Sequence, residues 1–168
     1  LGAVLVLAAL EPNLRGLIGA YHYQILVLIG VNIILAVSLN LINGFTGQFS
    51  IGHAGFYAVG AYTSAALVRY AGPPVRVLVS SLPAVAQDAV LLLMGLLGAA
   101  LVAGLAGLAV GIPSLRLRGD YLAIVTLGFG EIIRVLILNI DAIGGARGFS
   151  GIPQLSNFFW VYLFVLIT

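Results

Sequence analysis

The sequence has no cysteine, no lysine and very few charges of either sign. Without cysteine there is no disulfide, no thiolate nucleophile and no thiolate-held metal. The cations are seven arginines, dispersed along the chain, so no polybasic strip is available for phosphate backbones or anionic headgroups. No nucleic-acid partner is expected. Charged residues make up 7% of the 168, against about 25% in a soluble domain. A surface so poor in charge does not stay dispersed in water, which excludes a soluble globular enzyme and a disordered segment together.

What is present is apolar. Hydrophobic residues make up 62% of the chain, and the mean hydropathy is +1.20. Stretches long enough to span a bilayer run from Tyr23 to Ile42, Ala54 to Tyr70, Ala89 to Ile112 and Tyr121 to Ile140. Leu1 to Leu10 and Phe158 to Ile167 are shorter apolar runs that read as helices cut by the two ends. About six membrane segments follow. The ten-residue alternation of a transmembrane barrel is missing. The fold class is therefore all-α, a polytopic transmembrane helical bundle forming one domain over residues 1–168. Polar connections are expected at Glu11–Gly19, Ala71–Asp88, Pro113–Asp120 and Asp141–Asn157, the last rich in turn-forming glycine. The odd-numbered loops carry Arg15, Arg69, Arg76 and Arg147 against Arg116 and Arg118 on the other side, a count that places the first set in the cytoplasm.

Three features carry chemistry. Ala99, Ala103, Gly107 and Gly111 recur every fourth residue and form a small-residue stripe for close helix packing. Between two membrane stretches, Asn43 to Gly55 gathers Asn, Thr, Gln, Ser and His with four glycines and no charge. Irregular backbone at membrane depth survives only against protein or a wet cavity. A broken or re-entrant segment near 44–54, lining a solute path, fits that composition, and an ordinary turn outside the membrane fits it equally. Glu131 and Arg134 lie mid-span, three residues apart on one helix face. Each charge costs about 2.5–3.5 kcal/mol near a bilayer centre on the insertion scale, so such a pair normally faces the bundle interior. Gln48, Ser50, His53 and Glu131 are the candidate path or gate residues, with Glu131 and Arg134 an intramembrane ion pair. A purely structural pair, or one at a helix end near the headgroups, is the alternative.

Enzyme signatures are missing. Gly128-Phe129-Gly130 opens like a dinucleotide fingerprint but lacks the third glycine and a preceding strand. There is no Walker A sequence, and two histidines assemble neither a hydrolytic triad nor a metal site. The chain is read as a transport subunit with no catalytic residue, metal or cofactor of its own.

The stretch Leu39-Asn40-Leu41-Ile42-Asn43-Gly44-Phe45-Thr46-Gly47-Gln48-Phe49-Ser50-Ile51-Gly52-His53-Ala54-Gly55-Phe56, followed by Gly60-Ala61-Tyr62, resembles the N-terminal signature of LivM-type permeases. So does Leu115-Arg116-Leu117-Arg118-Gly119-Asp120-Tyr121 through Glu131 to Arg134, and the loop from Gly144 to Pro153 is similar to the family's next landmark. These permeases are membrane subunits of branched-chain amino acid ABC importers in the bacterial or archaeal plasma (inner) membrane. The resemblance implies alternating access driven by ATP and Mg held in partner subunits. Those partners are two ATP-binding subunits, a second, LivH-like permease and a periplasmic substrate-binding protein, all working in a lipid bilayer. It implies a cytoplasmic loop at Arg116, Arg118 and Asp120 and a periplasmic Gly144–Pro153, the reverse of the arginine count. It also implies that the chain is a truncated permease domain, the N-terminal half to two-thirds, ending before a cytoplasmic segment that docks on the ATPase. A permease of the same family for urea or short amides is the alternative solute reading. A stand-alone channel or secondary transporter would show intramembrane acids serving an ion, and only Glu131 qualifies. A scaffold without transport activity leaves the charged pair and the polar break unexplained.

Overall fold

This computed structural model describes residues 2–47, 50–114, 117 and 120–168, with side chains from residue 19 onward, Asp120 excepted. Among them all regular structure is helical. Helix α1 runs over Gly2–Asn40, α2 over His53–Ala66, α3 over Gly72–Leu78, α4 over Ala84–Ser114, α5 over Asp120–Asn139 and α6 over Phe158–Ile167. Among the described residues, three helical stretches are long and apolar enough to cross a membrane: Gly19–Phe45, Ala84–Ser114 and Tyr121–Asn139. Only 6%, 11% and 17% of their most apolar windows are buried within the chain, so their side chains mostly face outward, as lipid-facing or subunit-facing helices do.

The segments differ from the sequence expectation in three places. The connection expected at Glu11–Gly19 is helical up to Gly19, where φ of +76° and ψ of 156° interrupt α1. The polar residues do not stop the helix; the glycine does, because it alone enters that region without a Cβ clash. The expected span Ala54–Tyr70 is divided between the 14-residue α2 and a π turn at Leu67–Ala71. Most of the expected connection Ala71–Asp88 is helix, because α3 starts at Gly72 and α4 at Ala84. Pro73 and Pro74 fall in the first turn of α3, where their missing N–H groups cost nothing, and the wider π turn before them relieves the ring clash. Arg76 Nη2 bonds Asp88 Oδ1 at 2.7 Å across the remaining loop.

The chain divides into two compact units. In the first, Leu1–Thr46 with Ser156–Thr168, α1 packs on α6. The Phe158 N–H, one of the orphan donors at the start of α6, donates to the buried Tyr23 hydroxyl at 3.0 Å, and Tyr162 Oη donates to the Leu26 carbonyl at 3.1 Å. The second unit, Gly47–Leu155, packs α2 against both α4 and α5. Its core is Val68, Leu91 and Leu155, with Val75, Leu92 and Met94 around them.

The polar segment near 44–54 starts within one helical turn and ends at the start of another helix. A π turn covers Leu41–Phe45, Thr46 Oγ1 donates to the Ile42 carbonyl at 2.6 Å, and α2 begins at His53.

Candidate functional site

The site grows from one helix crossing in the second unit. The start of α2 meets the middle of α5 with almost no side chain between them. A methyl group on Gly52 would overlap the Thr126 carbonyl oxygen, and one on Gly55 would lie 2.9 Å from Gly130 Cα. The Ile51 N–H donates to Thr126 Oγ1 at 3.2 Å, and that hydroxyl donates to the Ala123 carbonyl at 3.0 Å. Thr126 is buried, so this bond gives a partner to a backbone group just ahead of α2 that would otherwise lack one. Among the described residues of α5, Leu122, Ala123 and Thr126 are buried, at helical spacing.

Beside the crossing lies a cavity of about 310 Å³. Ile51, Ala58, Tyr62, Leu127 and Ile137 form apolar walls, and Glu131 and Arg134 line it as well. Arg134 Nη1 donates to Glu131 Oε2 at 3.1 Å. Both side chains remain largely exposed, Arg134 by 68% and Glu131 by 59%, so the pair is not buried inside this fold. A second, open cavity of about 610 Å³ shares the Tyr62 wall and is mostly apolar, with Leu67, Ala106, Ile133 and Leu136 beside Thr63. Tyr70, which also lines it, holds the following loop: its hydroxyl donates to the Ala142 carbonyl at 2.6 Å, and its ring stacks on Phe149 at 6.2 Å. Arg69 lies against Gly151 of the same loop. Gly144, at φ +88°, turns that loop so tightly that a methyl group there would overlap the Gly148 carbonyl.

The structure distributes the sequence-derived residues unevenly. Glu131 and Arg134 stand together on the cavity. Ser50 and His53 are half-buried beside it: their chain neighbours Ile51 and Ala54 line the cavity, and they do not. Gln48, Arg116 and Arg118 lie outside the described residues, and Asp120 is described only as the first residue of α5. Of the small-residue stripe, Ala99 and Ala103 approach Gly60 of α2, while a methyl group on Gly107 or Gly111 would meet nothing. The tight contact lies one turn earlier: a methyl group on Gly95 would be 2.7 Å from Ser64 Oγ. Sequence reasoning missed Thr126, Tyr62 and Gly95. Gly95 continues the four-residue spacing of the stripe and was legible; Tyr62 and Thr126 lie within the two signature stretches, but nothing there singled them out.

The two segments that meet at the crossing are the two that carry the resemblance. Residues 21–167 match the model of the family described as the branched-chain amino acid transport system permease component. The chain belongs to this family. Two relatives are similar over much of this permease-family chain. The high-affinity branched-chain amino acid transport system permease protein LivM of Escherichia coli (strain K12) is 44% identical over 155 residues, 90% of this chain and 31% of that protein. The protein of the same name from Salmonella typhimurium (strain LT2) is 48% identical over 125 residues, 74% of this chain and 25% of that protein. The chain thus spans under a third of the length of the relatives it matches, a smaller share than the half to two-thirds that the resemblance implies. No solved structure matches it. Family and apolar helices together make the chain a multi-pass membrane protein.

Proposed function

We propose that the chain is part of the permease subunit of an ABC importer that moves branched-chain amino acids across a bacterial or archaeal plasma membrane. The observation that carries this reading is the family match over residues 21–167, with two relatives named as branched-chain amino acid permeases. In this reading residues 1–168 are one piece of a permease domain. It works with a second, LivH-like permease, two ATP-binding subunits that hold ATP and Mg, and a periplasmic substrate-binding protein. The chain itself carries no hydrolytic chemistry; it supplies part of a path that opens alternately to the two sides.

The geometry is compatible with that work. The Gly52–Gly55 approach to Thr126 and Gly130 joins the polar break to α5 through backbone contact. A shift of α5 is then transmitted to the break without slack from intervening side chains. Glu131 on the cavity wall is the path residue of this reading, with Gln48, Ser50 and His53 on the break as gate residues. Arg116, Arg118 and Asp120 form the cytoplasmic loop, and Gly144–Pro153 faces the periplasm.

Deletion of the gene from its host tests the reading. Uptake of radiolabelled leucine, isoleucine and valine at low concentration is expected to fall and to return with the complete gene. Unchanged uptake of all three, with loss of urea or acetamide uptake instead, contradicts it.

A further inference from the structure

We infer that the cavity between α2 and α5 is a binding site for the solute itself, in which Glu131 and Arg134 recognise the charged head of an α-amino acid and the apolar walls take its aliphatic side chain. The inference rests on the transport reading and names the group that the path recognises.

Two charged side chains in the middle of a membrane-spanning helix need a polar neighbour or water, and each costs about 2.5–3.5 kcal/mol if left in lipid. Among the described residues they have only each other, through a single 3.1 Å contact, and both stay more than half exposed. That contact uses one guanidinium nitrogen and one carboxylate oxygen. The second carboxylate oxygen can accept from an ammonium group, and the rest of the guanidinium fork matches a carboxylate. An α-amino acid carries both groups on one carbon. It can therefore take up both halves of the pair, whereas a simple cation or anion satisfies one half and leaves the other.

The rest of the cavity suits the rest of such a solute. At about 310 Å³ it lies at the small end of ligand pockets, and Ile51, Ala58, Leu127 and Ile137 offer hydrocarbon only. Gly55 and Gly130 also line it, at the point where their backbones leave no room for a side chain. An aliphatic side chain gains from these walls, whose one hydroxyl among the lining residues is that of Tyr62. Urea and short amides lack the paired charges and the aliphatic body. The site thus separates the solutes of this reading from the neutral alternatives.

The test uses the complete importer, with both permeases and both ATP-binding subunits, purified in nanodiscs without the binding protein. Equilibrium binding of L-leucine is compared with that of 4-methylpentanoate, which lacks the ammonium group, and leucinamide, which lacks the carboxylate. Saturable leucine binding is expected, with both analogues at least tenfold weaker. Glu131→Gln should remove the preference for leucine over 4-methylpentanoate, and Arg134→Gln the preference over leucinamide. The double exchange Glu131→Arg with Arg134→Glu keeps an ion pair and so preserves a purely structural contribution, yet should weaken leucine binding at least tenfold. Leucine binding unchanged in all three variants overturns the inference. So does an importer that transports leucine with its binding protein but shows no saturable binding without it. Absence of leucine transport by the unaltered importer is the separate result that would bring down the transport reading.

Discussion

Gly55 of α2 and Gly130 of α5 meet backbone to backbone: a methyl group on Gly55 would lie 2.9 Å from Gly130 Cα. Small residues let helices in lipid approach until their main chains touch, and here the contact joins the two motif-bearing segments of the chain. Gly55→Ala is expected to push α2 off α5, at an overpacking cost of about 1–3 kcal/mol. The check is the thermal melt of the complete permease in detergent. A melting temperature equal to that of the unaltered protein would show that the crossing is looser than described.

Thr126 links the same two segments by hydrogen bonds rather than by shape. Thr126→Val keeps the volume, deletes the acceptor for the Ile51 N–H, and should cost about 1 kcal/mol, more if no water reaches the vacated donor. Thr126→Ser restores the hydroxyl and should recover most of the loss. Equal melting of the two variants would remove the hydrogen bond from the account.

Two glycines of α4 face the end of α2 and the π turn after it, with different neighbours. On Gly95 a methyl group meets Ser64 Oγ at 2.7 Å and Val68 Cγ2 at 3.2 Å, while on Gly98 it meets only Leu67, mainly the tip of its flexible side chain. Gly95→Ala should therefore destabilise more than Gly98→Ala, where Leu67 can rotate away. The ranking is read from denaturation of the two variants side by side, and a reversed order contradicts the packing.

In the first unit, Tyr23→Phe removes the hydroxyl that accepts from the Phe158 N–H at the start of α6. A loss of about 1 kcal/mol is expected from one uncompensated donor. Hydrogen exchange at the start of α6 should rise; no change there would mean that another group or water replaces the tyrosine.

Much of this architecture is legible from composition because lipid leaves the backbone few choices: long apolar runs become helices. The interruption between Phe45 and His53 is legible for the same reason, since uncharged polar residues and glycine crowd there. The α3 helix is not. Gly72-Pro73-Pro74 carries the signals of a turn, while proline also suits the first turn of a helix, and nothing local chooses between the two. The crossing of Gly55 and Gly130 joins residues 75 positions apart, and nothing local to either glycine signals the other. Glu131 and Arg134 show the opposite case. Their spacing announces an ion pair, whereas the cavity beside it depends on α2 and emerges only with the fold.

The proposal that the chain is part of a permease for branched-chain amino acids, powered by partner subunits, is best put to reconstitution. The complete gene product is placed in proteoliposomes with its second permease, ATP-binding subunits and binding protein, with ATP inside and radiolabelled L-leucine outside. Leucine is expected to accumulate above the external concentration, and to stop accumulating without ATP or without the binding protein. Leucine entry that only equilibrates, and that proceeds equally well without either, would contradict it and point to a channel or secondary transporter.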